Sequence, residues 1–388
     1  MDNKLQSGGG LIGIGSFGCV FKPALKCKNK KSVNDNHVSK ILFGSNSKYE
    51  TKEELKINKI IKSIKGYENW AYIWDTYCLP NEYSKIIKEE PEIDDCLNEN
   101  TLTVQEFNNN RHMLIGNDAG ITFNVYMSNN FKSEIYNNKN KFIKNFLELM
   151  KKMKPLFIGL VEMNNEKISH NDIKYDNIMI DEEGCKYIDF GLSAKYSNTK
   201  FFKQRSMTEF IADRIYPPYP LEFIYLYASK QLLEEELDYI KDDITRSLYN
   251  RYKLIHETIF KRKNIKGYFI NLINYTIEGK LIKEKNNIIT LLDTYSIGIL
   301  VPSMITNLAK SYNKLSQLNK LLMVKEIKPF IELFKSMSEP DNKERLKPLD
   351  AYQRYLELES TYLKSNKKRT IKKRTIKKRT IKRKRVTK

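Results

Sequence analysis

Two short apolar segments on either side of an acidic turn constrain this chain more than any other feature. Residues 170–180 read HNDIKYDNIMI, and residues 187–191 read YIDFG. The first apolar segment follows Asp172 and Asn177, and the second leads into Asp189, 17 residues after Asp172. Carboxylate and amide oxygens are hard ligands that suit Mg²⁺ better than zinc, and a spare carboxylate can accept a proton. Ordinary turn residues would not need this order and spacing. The pattern therefore predicts a hairpin that carries catalytic groups.

A glycine-rich segment near the N-terminus is a second candidate site. Residues 13–20 read GIGSFGCV, a Gly-x-Gly-x-x-Gly-x-Val pattern. Glycines let backbone N–H groups approach phosphate oxygens that a Cβ atom would hold off. The pattern alone also suits a plain glycine-rich hairpin or a dinucleotide-binding turn. The residues that follow it are typical of a strand and not of a helix start, which disfavours the dinucleotide-binding turn.

Hydrophobic periodicity predicts an α+β protein in two lobes, with a strand-rich first third and a helical remainder. Residues 11–43 read as three short strands, and residues 49–64 read as an amphipathic helix. Residues 142–163 predict one long helix despite Pro155. Further helical patterns fill residues 223–262, 288–312, 314–336 and 348–363. We expect a first domain over residues 1–116, a second over 117–363 and a disordered tail over 364–388.

Taken together, these motifs resemble the eukaryotic-type protein kinase family over nearly all of residues 10–358. The family's His-Arg-Asp catalytic loop is similar to the triplet ending at Asp172, its metal-binding Asn to Asn177, and its Asp-Phe-Gly to the triplet starting at Asp189. The resemblance implies a bilobal protein-kinase-like fold, with a small β-rich N-lobe and a larger helical C-lobe. It also implies ATP and Mg²⁺ as cofactors, Asp172 as the proton acceptor, and Asn177 and Asp189 as the metal ligands.

The resemblance assigns roles to further residues. Lys174 is similar to the lysine of the serine/threonine version of the catalytic loop, and Lys40 to the strand lysine that holds the α- and β-phosphates. The implied helix partner of Lys40 is Glu54, with Glu50 as the alternative; as a plain sequence feature, each acid could be a solvated surface residue. The implied nucleotide-binding residues are Ile12, Gly13, Gly15, Ser16, Phe17, Gly18, Val20, Lys40 and Glu54.

Three structural positions of the family also find counterparts. The triplet ending at Glu222 resembles the Ala-Pro-Glu that closes the activation segment, and Arg345 resembles the arginine that pairs with that glutamate. Residues 293–298 resemble the Asp-x-Trp-Ser-x-Gly helix, whose aspartate, here Asp293, caps the backbone of the catalytic loop. A buried aspartate can accept such backbone hydrogen bonds.

Two departures from the family pattern bear on regulation. Asn171 replaces the arginine that receives an activation-loop phosphate, so we expect activity without phosphorylation of that loop. Glu222 and Asp293 are 71 residues apart, which predicts a helical insertion over about residues 223–290, near the substrate-binding side. The insertion, the YPPYP run at residues 216–220 and the Lys, Asn and Ile bias resemble divergent kinases of large nucleocytoplasmic DNA viruses.

The C-terminal tail carries most of the net charge of +21. Residues 364–388 contain 15 of the 68 basic residues and no acidic one, which leaves residues 1–363 with a net charge of +6. Such a tail can bind nucleic acid or another polyanion without sequence specificity, or it can be a solvated tail or an import signal.

The sequence thus predicts a serine/threonine kinase acting on protein substrates. A catalytically inactive pseudokinase scaffold and a polyanion-binding protein are the alternatives. Retention of all the catalytic positions disfavours the pseudokinase, and the lack of aromatic residues in the tail disfavours sequence-specific nucleic-acid binding.

Cysteine usage bears on the compartment. The five cysteines are scattered without a C-x-x-C pair, and the chain has only four histidines, so we expect neither a disulfide framework nor a zinc site.

The most apolar stretch, residues 288–309, is interrupted by Asp293 and Pro302, so we expect no transmembrane segment. A soluble intracellular protein in a reducing compartment is expected, located in the host cytoplasm, nucleus or virion if the source is viral.

Overall fold

The computed structural model describes residues 10–15, 18–28, 36–211, 219–241 and 252–363, which belong to two compact units. Of the described residues, those up to Gly120 and Lys186–Ser193 form the smaller unit, and Ile121–Cys185 with those from Ala194 onward form the larger. The expected boundary after residue 116 lies inside a strand that ends at Asn117, which explains why the first unit continues to Gly120.

A five-stranded antiparallel sheet forms the smaller unit. Its strands are β1 (Gly10–Gly15), β2 (Gly18–Lys22), β3 (His37–Leu42), β4 (Thr76–Cys78) and β5 (His112–Asn117). They lie in the order β1-β2-β3-β5-β4, and each neighbouring pair is antiparallel. The prediction of three strands within residues 11–43 is confirmed. The register sets Lys40 in the middle strand β3, opposite Val20 on one side and Leu114 on the other.

Helices complete the smaller unit. Helix α1 (Ser47–Ser63) confirms the predicted amphipathic helix, and its buried stripe includes Glu54, Ile57 and Ile61 at helical spacing. Residues 66–110, whose pattern predicts no element, form a 3₁₀ turn, β4 and three short α-helices. These elements besides β4 are Tyr67–Asn69, Tyr83–Glu89, Ile93–Glu99 and Val104–Asn110. The short helices pack against the sheet in a core that contains Phe21, Ile41 and Phe107.

Two disulfide bonds cross-link the smaller unit. Cys19 of β2 is bonded to Cys96 of the helix Ile93–Glu99, and Cys27 is bonded to Cys78 of β4. The expectation of no disulfide framework is therefore wrong. The paired cysteines are 77 and 51 residues apart in the chain, so only the fold brings them together. Cys185, the remaining cysteine, is free and buried. A reducing compartment was expected because the cysteines appeared unpaired, and the two disulfide bonds remove that reason.

The larger unit is mainly helical, as predicted. Its short strands are Ile121–Thr122, Ile168–Ser169, Ile178–Ile180 and Ala194–Lys195, and the strand Cys185–Tyr187 begins in it. Its α-helices are Phe123–Asn130, Lys139–Lys152, Lys154–Asn165, Thr199–Ile211, Leu221–Tyr225, Lys230–Lys241, Ile265–Ile277, Lys285–Thr290, Leu292–Ser311, Leu315–Leu322, Lys328–Met337 and Pro348–Leu358. Its 3₁₀-helices are Ser133–Asn137 and Leu281–Glu284, and its π-helices are Leu254–Ile259 and Glu359–Leu363.

The long helix predicted over residues 142–163 is divided in two. Lys139–Lys152 ends and Lys154–Asn165 begins on either side of Met153. Pro155 explains the break, because proline has no amide hydrogen to donate and its ring would clash with the carbonyl group four residues earlier. Proline is well tolerated in the first turn of the second helix, where that hydrogen bond is absent in any case.

Leu292–Ser311 is the most extensively buried helix of the larger unit. It approaches Lys328–Met337 so closely that a Cβ at Gly298 would lie 2.8 Å from the Cβ of Met337. Among the described residues, no single helix has both the length and the apolarity to span a membrane, although the bent pair Leu281–Thr290 and Leu292–Ser311 meets both criteria together.

Candidate active site

The hairpin of β1 and β2 carries the glycine-rich segment of the smaller unit. Gly15 pairs with Gly18 across the turn, while Ser16 and Phe17, also predicted to bind nucleotide, lie outside the described residues. A Cβ at Gly18 would lie 1.9 Å from the backbone oxygen of Ile41, so the fold itself requires this glycine. The nearest described atom to a Cβ at Gly13 would be 3.8 Å away. Gly13 is therefore not required by packing, which fits a position where a ligand's phosphate approaches the backbone.

Lys40 lies at the centre of a charged cluster in the same unit. Its Nζ is 2.7 Å from Oδ1 of Asp189 and 3.7 Å from Oε2 of Glu54. Of the two acids considered as its helix partner, Glu54 forms the ion pair. A Cβ at Gly191 would lie 3.1 Å from Oδ1 of Asp189 and 3.2 Å from Oε2 of Glu54. Glycine at this position therefore allows the two carboxylates to converge on one lysine.

The carboxyl groups of this cluster include donors that suit a metal ion. The pKa of Glu54 is raised to about 7, because burial and, to a smaller extent, the charge of Asp189 raise it more than Lys40 lowers it. One ammonium group thus lies near two carboxyl groups. The side chain of Asp189 remains 33% exposed. Its oxygen donors suit Mg²⁺, so the residues present fit the metal that the resemblance implies.

The segment that holds Asp172 is fixed by a buried carboxylate of the larger unit. Asp293 accepts hydrogen bonds from the backbone N–H groups of His170 at 2.7 Å and Asn171 at 3.1 Å, and from the Ser169 hydroxyl at 3.0 Å. Burial raises the pKa of Asp293, whereas His170 and these hydrogen bonds lower it. The predicted capping role of Asp293 is confirmed, and the backbone before Asp172 is held by three hydrogen bonds to a single side chain.

Asp172, Lys174 and Asn177 lie together in the larger unit, between the strands Ile168–Ser169 and Ile178–Ile180. Nδ2 of Asn177 donates to the Asp172 side chain at 2.6 Å and to its backbone oxygen at 3.0 Å. Because the amide nitrogen is used in this way, Oδ1 is the atom of Asn177 that can bind a metal. Nζ of Lys174 lies 3.2 Å from Oδ2 of Asp172. A carboxylate, an ammonium group and an amide oxygen are thus available within a few residues.

Asn171 differs from its neighbours because its side chain forms no hydrogen bond in the described chain. It adopts a left-handed backbone conformation with φ of 65°, which asparagine tolerates better than most residues. Both polar atoms of its side-chain amide are buried without a hydrogen-bond partner.

Arg205 and Tyr219 were not predicted from the sequence, although the Tyr219 hydroxyl donates a hydrogen bond to the backbone oxygen of Asn171. Only the run of prolines and tyrosines around Tyr219 marked the region as unusual.

The buried pair of Glu222 and Arg345 confirms another prediction. The side chains of both are at most 1% exposed, and the Arg345 guanidinium donates to the Glu222 carboxylate. The guanidinium carbon of Arg345 also lies 4.9 Å from the ring centroid of Tyr295, which occupies the position of the family's tryptophan.

His256, a residue of the predicted insertion, has its Nε2 3.3 Å from the Tyr295 hydroxyl, and burial lowers the pKa of His256 well below the usual range. This part of the insertion is therefore integral to the core, while residues 242–251 lie outside the described chain.

Comparison with known proteins agrees with this geometry. A family model described as "Protein kinase domain" matches residues 7–218, from ahead of the glycine-rich segment to the residue before Tyr219. No curated protein matches the chain. The matched region covers more than half of the sequence and includes Lys40, Asp172 and Asp189. The chain belongs to the protein kinase family.

Proposed function

We propose that the protein is an ATP-dependent serine/threonine kinase that transfers the γ-phosphate of ATP to hydroxyl groups of protein substrates. The observation that carries the proposal is the cluster of Asp172, Lys174 and Asn177, in which a buried carboxylate lies within hydrogen-bonding distance of an ammonium group and an amide. Such a carboxylate can accept the proton of an attacking hydroxyl, which is the one proton transfer the reaction requires.

The other roles follow from charge and access. In the smaller unit, the glycine-rich hairpin and Lys40 bind the phosphates, and Glu54 orients Lys40 through their ion pair. Asp189 and Oδ1 of Asn177 are the proposed ligands of Mg²⁺, which neutralises phosphate charge when bound. Lys174 offsets charge on the transferred phosphoryl group. Asp172 takes the hydroxyl proton on a carboxylate oxygen, and Asn177 fixes the orientation of that carboxylate.

Two features support a serine/threonine kinase over the alternatives. Lys174 occupies the position where the serine/threonine version of the loop carries a lysine. Against a pseudokinase, all the predicted catalytic and metal-binding positions are occupied by residues able to act: Asp172, Lys174, Asn177, Lys40, Glu54 and Asp189.

A transfer assay tests the proposal. The full chain is incubated with Mg²⁺, γ-labelled ATP and a generic basic protein, and the product is analysed for phosphoserine, phosphothreonine and phosphotyrosine. We expect label on serine or threonine, and loss of transfer by at least about a hundredfold in Asp172→Asn. Asp176→Asn makes the same chemical change at an exposed position of the same loop and should retain activity. Wild-type protein that binds ATP without transferring phosphate would support the pseudokinase instead.

The tail supports a second, independent proposal of polyanion binding. Its 15 basic residues lie outside the described chain, and their charge density favours binding to nucleic acid with a steep salt dependence. Deletion of residues 364–388 should abolish retention on a nucleic-acid column at low salt and leave transfer to a small peptide unchanged. Retention that survives the deletion would contradict this role.

Source and location also remain proposals. The Lys, Asn and Ile bias and the insertion support a source among large DNA viruses. Among the host cytoplasm, nucleus and virion, the two disulfide bonds favour the virion, because thiols stay reduced in the other two compartments. Alkylation of thiols before any reduction, applied to protein taken from each location, tests this placement.

A further inference from the structure

Three side chains from the segment 199–222 form a chain of contacts that ends on the backbone beside Asp172. The hydroxyl of Tyr219 donates a hydrogen bond to the backbone oxygen of Asn171. Nε of Arg205 lies 3.0 Å from that hydroxyl, and the guanidinium carbon is 5.6 Å from the centroid of the tyrosine ring. A second guanidinium nitrogen lies 2.9 Å from Oε1 of Glu209, one helical turn away. We call Arg205, Glu209 and Tyr219 the Tyr219 network.

The Tyr219 network is buried, so its contacts are strong and costly to break. Tyr219 is 2% exposed and Glu209 is 8% exposed, while the Arg205 side chain is 18% exposed. Burial by itself lowers the pKa of Arg205, but Tyr219, Glu209 and Asp172 together raise it, so the guanidinium stays charged. A buried charged group is stable only when paired and hydrogen-bonded. Glu209 and Tyr219 supply that pairing.

The Tyr219 network contacts Asn171, which stands where the family carries its phosphate-receiving arginine. The Asn171 side chain is not a cation, and its carboxamide group has no hydrogen-bond partner in the described chain. Ser206 is fully buried in the helix Thr199–Ile211, and its hydroxyl lies 3.3 Å from the backbone oxygen of Ile224. Thr208 donates to the backbone of Gln204 within that helix. The helix is thus folded and anchored by unmodified side chains.

We propose that Tyr219, held by Arg205 and Glu209, is a positioning residue that fixes the backbone next to Asp172 and makes phosphorylation of the segment unnecessary. Asp293 holds the same loop through the N–H of Asn171, and Tyr219 holds it through the carbonyl group. The peptide units that precede and follow Asn171 are therefore both bonded, and Asp172 comes next in the chain. The effect of Tyr219 on rate rests on the proposed kinase activity, whereas its effect on loop order does not.

The test compares Tyr219→Phe with Tyr355→Phe in the full-length, phosphatase-treated protein. Tyr355 is a matched control, because its buried hydroxyl donates to the backbone oxygen of Met150 at 2.7 Å and it belongs to a different part of the larger unit. We expect Tyr219→Phe to lower kcat by about 10- to 100-fold with little change in the KM for ATP, since small displacements of a reacting group cost rate. Tyr355→Phe should lower the melting temperature comparably and keep kcat.

Hydrogen exchange of residues 168–177 gives a readout that needs no activity. Faster exchange at the Asn171 and Asp172 amides in Tyr219→Phe, and not in Tyr355→Phe, is expected. Equal kcat and equal exchange in the two variants would overturn the inference, as would loss of wild-type activity on phosphatase treatment. If the wild-type protein transfers no phosphate, the proposed function fails, and the exchange comparison alone then decides whether Tyr219 orders the loop.

Discussion

The two compact units are stabilised by different chemistry. In the smaller unit, one disulfide bond links β2 to the helix Ile93–Glu99 and another links Cys27 to β4, and Lys40 lies in a charged cluster in which the Asp189 side chain is 33% exposed. In the larger unit, the described residues form no disulfide, and buried polar side chains such as Asp293 and Arg345 hold backbone and carboxylate groups instead. The difference teaches that the unit of Lys40 depends on covalent cross-links and ion pairs, whereas the loop of Asp172 depends on buried hydrogen bonds.

Reduction of the disulfides should have the largest effect on this difference, because it should destabilise the smaller unit and not the larger one. The two bonds close loops of 77 and 51 residues, and each is worth about 2–5 kcal/mol through restriction of the unfolded chain. Trp70 and Trp74, the two tryptophans of the chain, both lie in the smaller unit, so their fluorescence reports on that unit alone. A reductant should lower the urea midpoint seen by fluorescence and leave the midpoint seen by helical circular dichroism largely unchanged. Five reactive thiols in unreduced, denatured protein would contradict the assignment of both bonds.

Arg345→Ala should produce the opposite pattern. The substitution leaves the Glu222 carboxylate buried without its partner, which costs about 3–5 kcal/mol. The midpoint seen by circular dichroism should fall, and the tryptophan signal of the smaller unit should not follow it. Arg354→Ala removes an exposed arginine from the same unit and serves as the control. An equal midpoint in the two variants would show that the buried ion pair does not stabilise the larger unit.

A smaller effect is expected from pH. Burial raises the pKa of Glu54 to about 7, so the folded smaller unit binds a proton more tightly than the unfolded chain. The resulting stabilisation is complete below the ordinary value of 4.5 and is lost as the pH rises through about 7, with a slope of at most about 1.4 kcal/mol per pH unit. The ion pair with Lys40 forms fully only at the upper end of that range, so affinity for MgATP should rise there.

Tryptophan-monitored unfolding at a series of pH values checks this prediction. Glu54→Gln should remove most of the pH dependence between pH 4.5 and 7, and Glu53→Gln, at a partly exposed position of the same helix, should not. If the unfolding midpoint of the wild-type protein does not change between pH 4.5 and 7, the pKa of Glu54 is not raised as described.

Local motifs allowed much of the candidate site to be predicted from sequence. The spacing of Asp172, Asn177 and Asp189 depends on one hairpin, whose acidic turn is closed by a hydrogen bond between the Asp181 N–H and the Gly184 carbonyl. Lys40 and Glu54 follow from a strand and a helix that are adjacent in the chain. Pattern and periodicity located the strand, the helix and the hairpin, and the resemblance to the protein kinase family assigned roles to the residues on them.

Contacts between distant parts of the chain that have no counterpart in the family pattern could not be predicted. The pairing of Cys19 with Cys96 depends on three short helices, each only seven residues long, whose apolar spacing is too brief to stand out. The contact of His256 with Tyr295 joins the insertion to a helix 39 residues later. By contrast, the break at Pro155 was predictable, because proline disrupts a helix interior by local sterics.

The measurement that tests the central claim most directly separates MgATP binding from phosphate transfer. Calorimetric titration with MgATP and a transfer assay are carried out on wild type, Asp172→Asn and Asp189→Asn. If Asp189 binds the metal and Asp172 accepts the proton, Asp172→Asn should keep the wild-type Kd for MgATP and lose transfer, while Asp189→Asn should weaken binding as well. Wild-type turnover in Asp172→Asn, or an equal loss of MgATP binding in both variants, would contradict these roles.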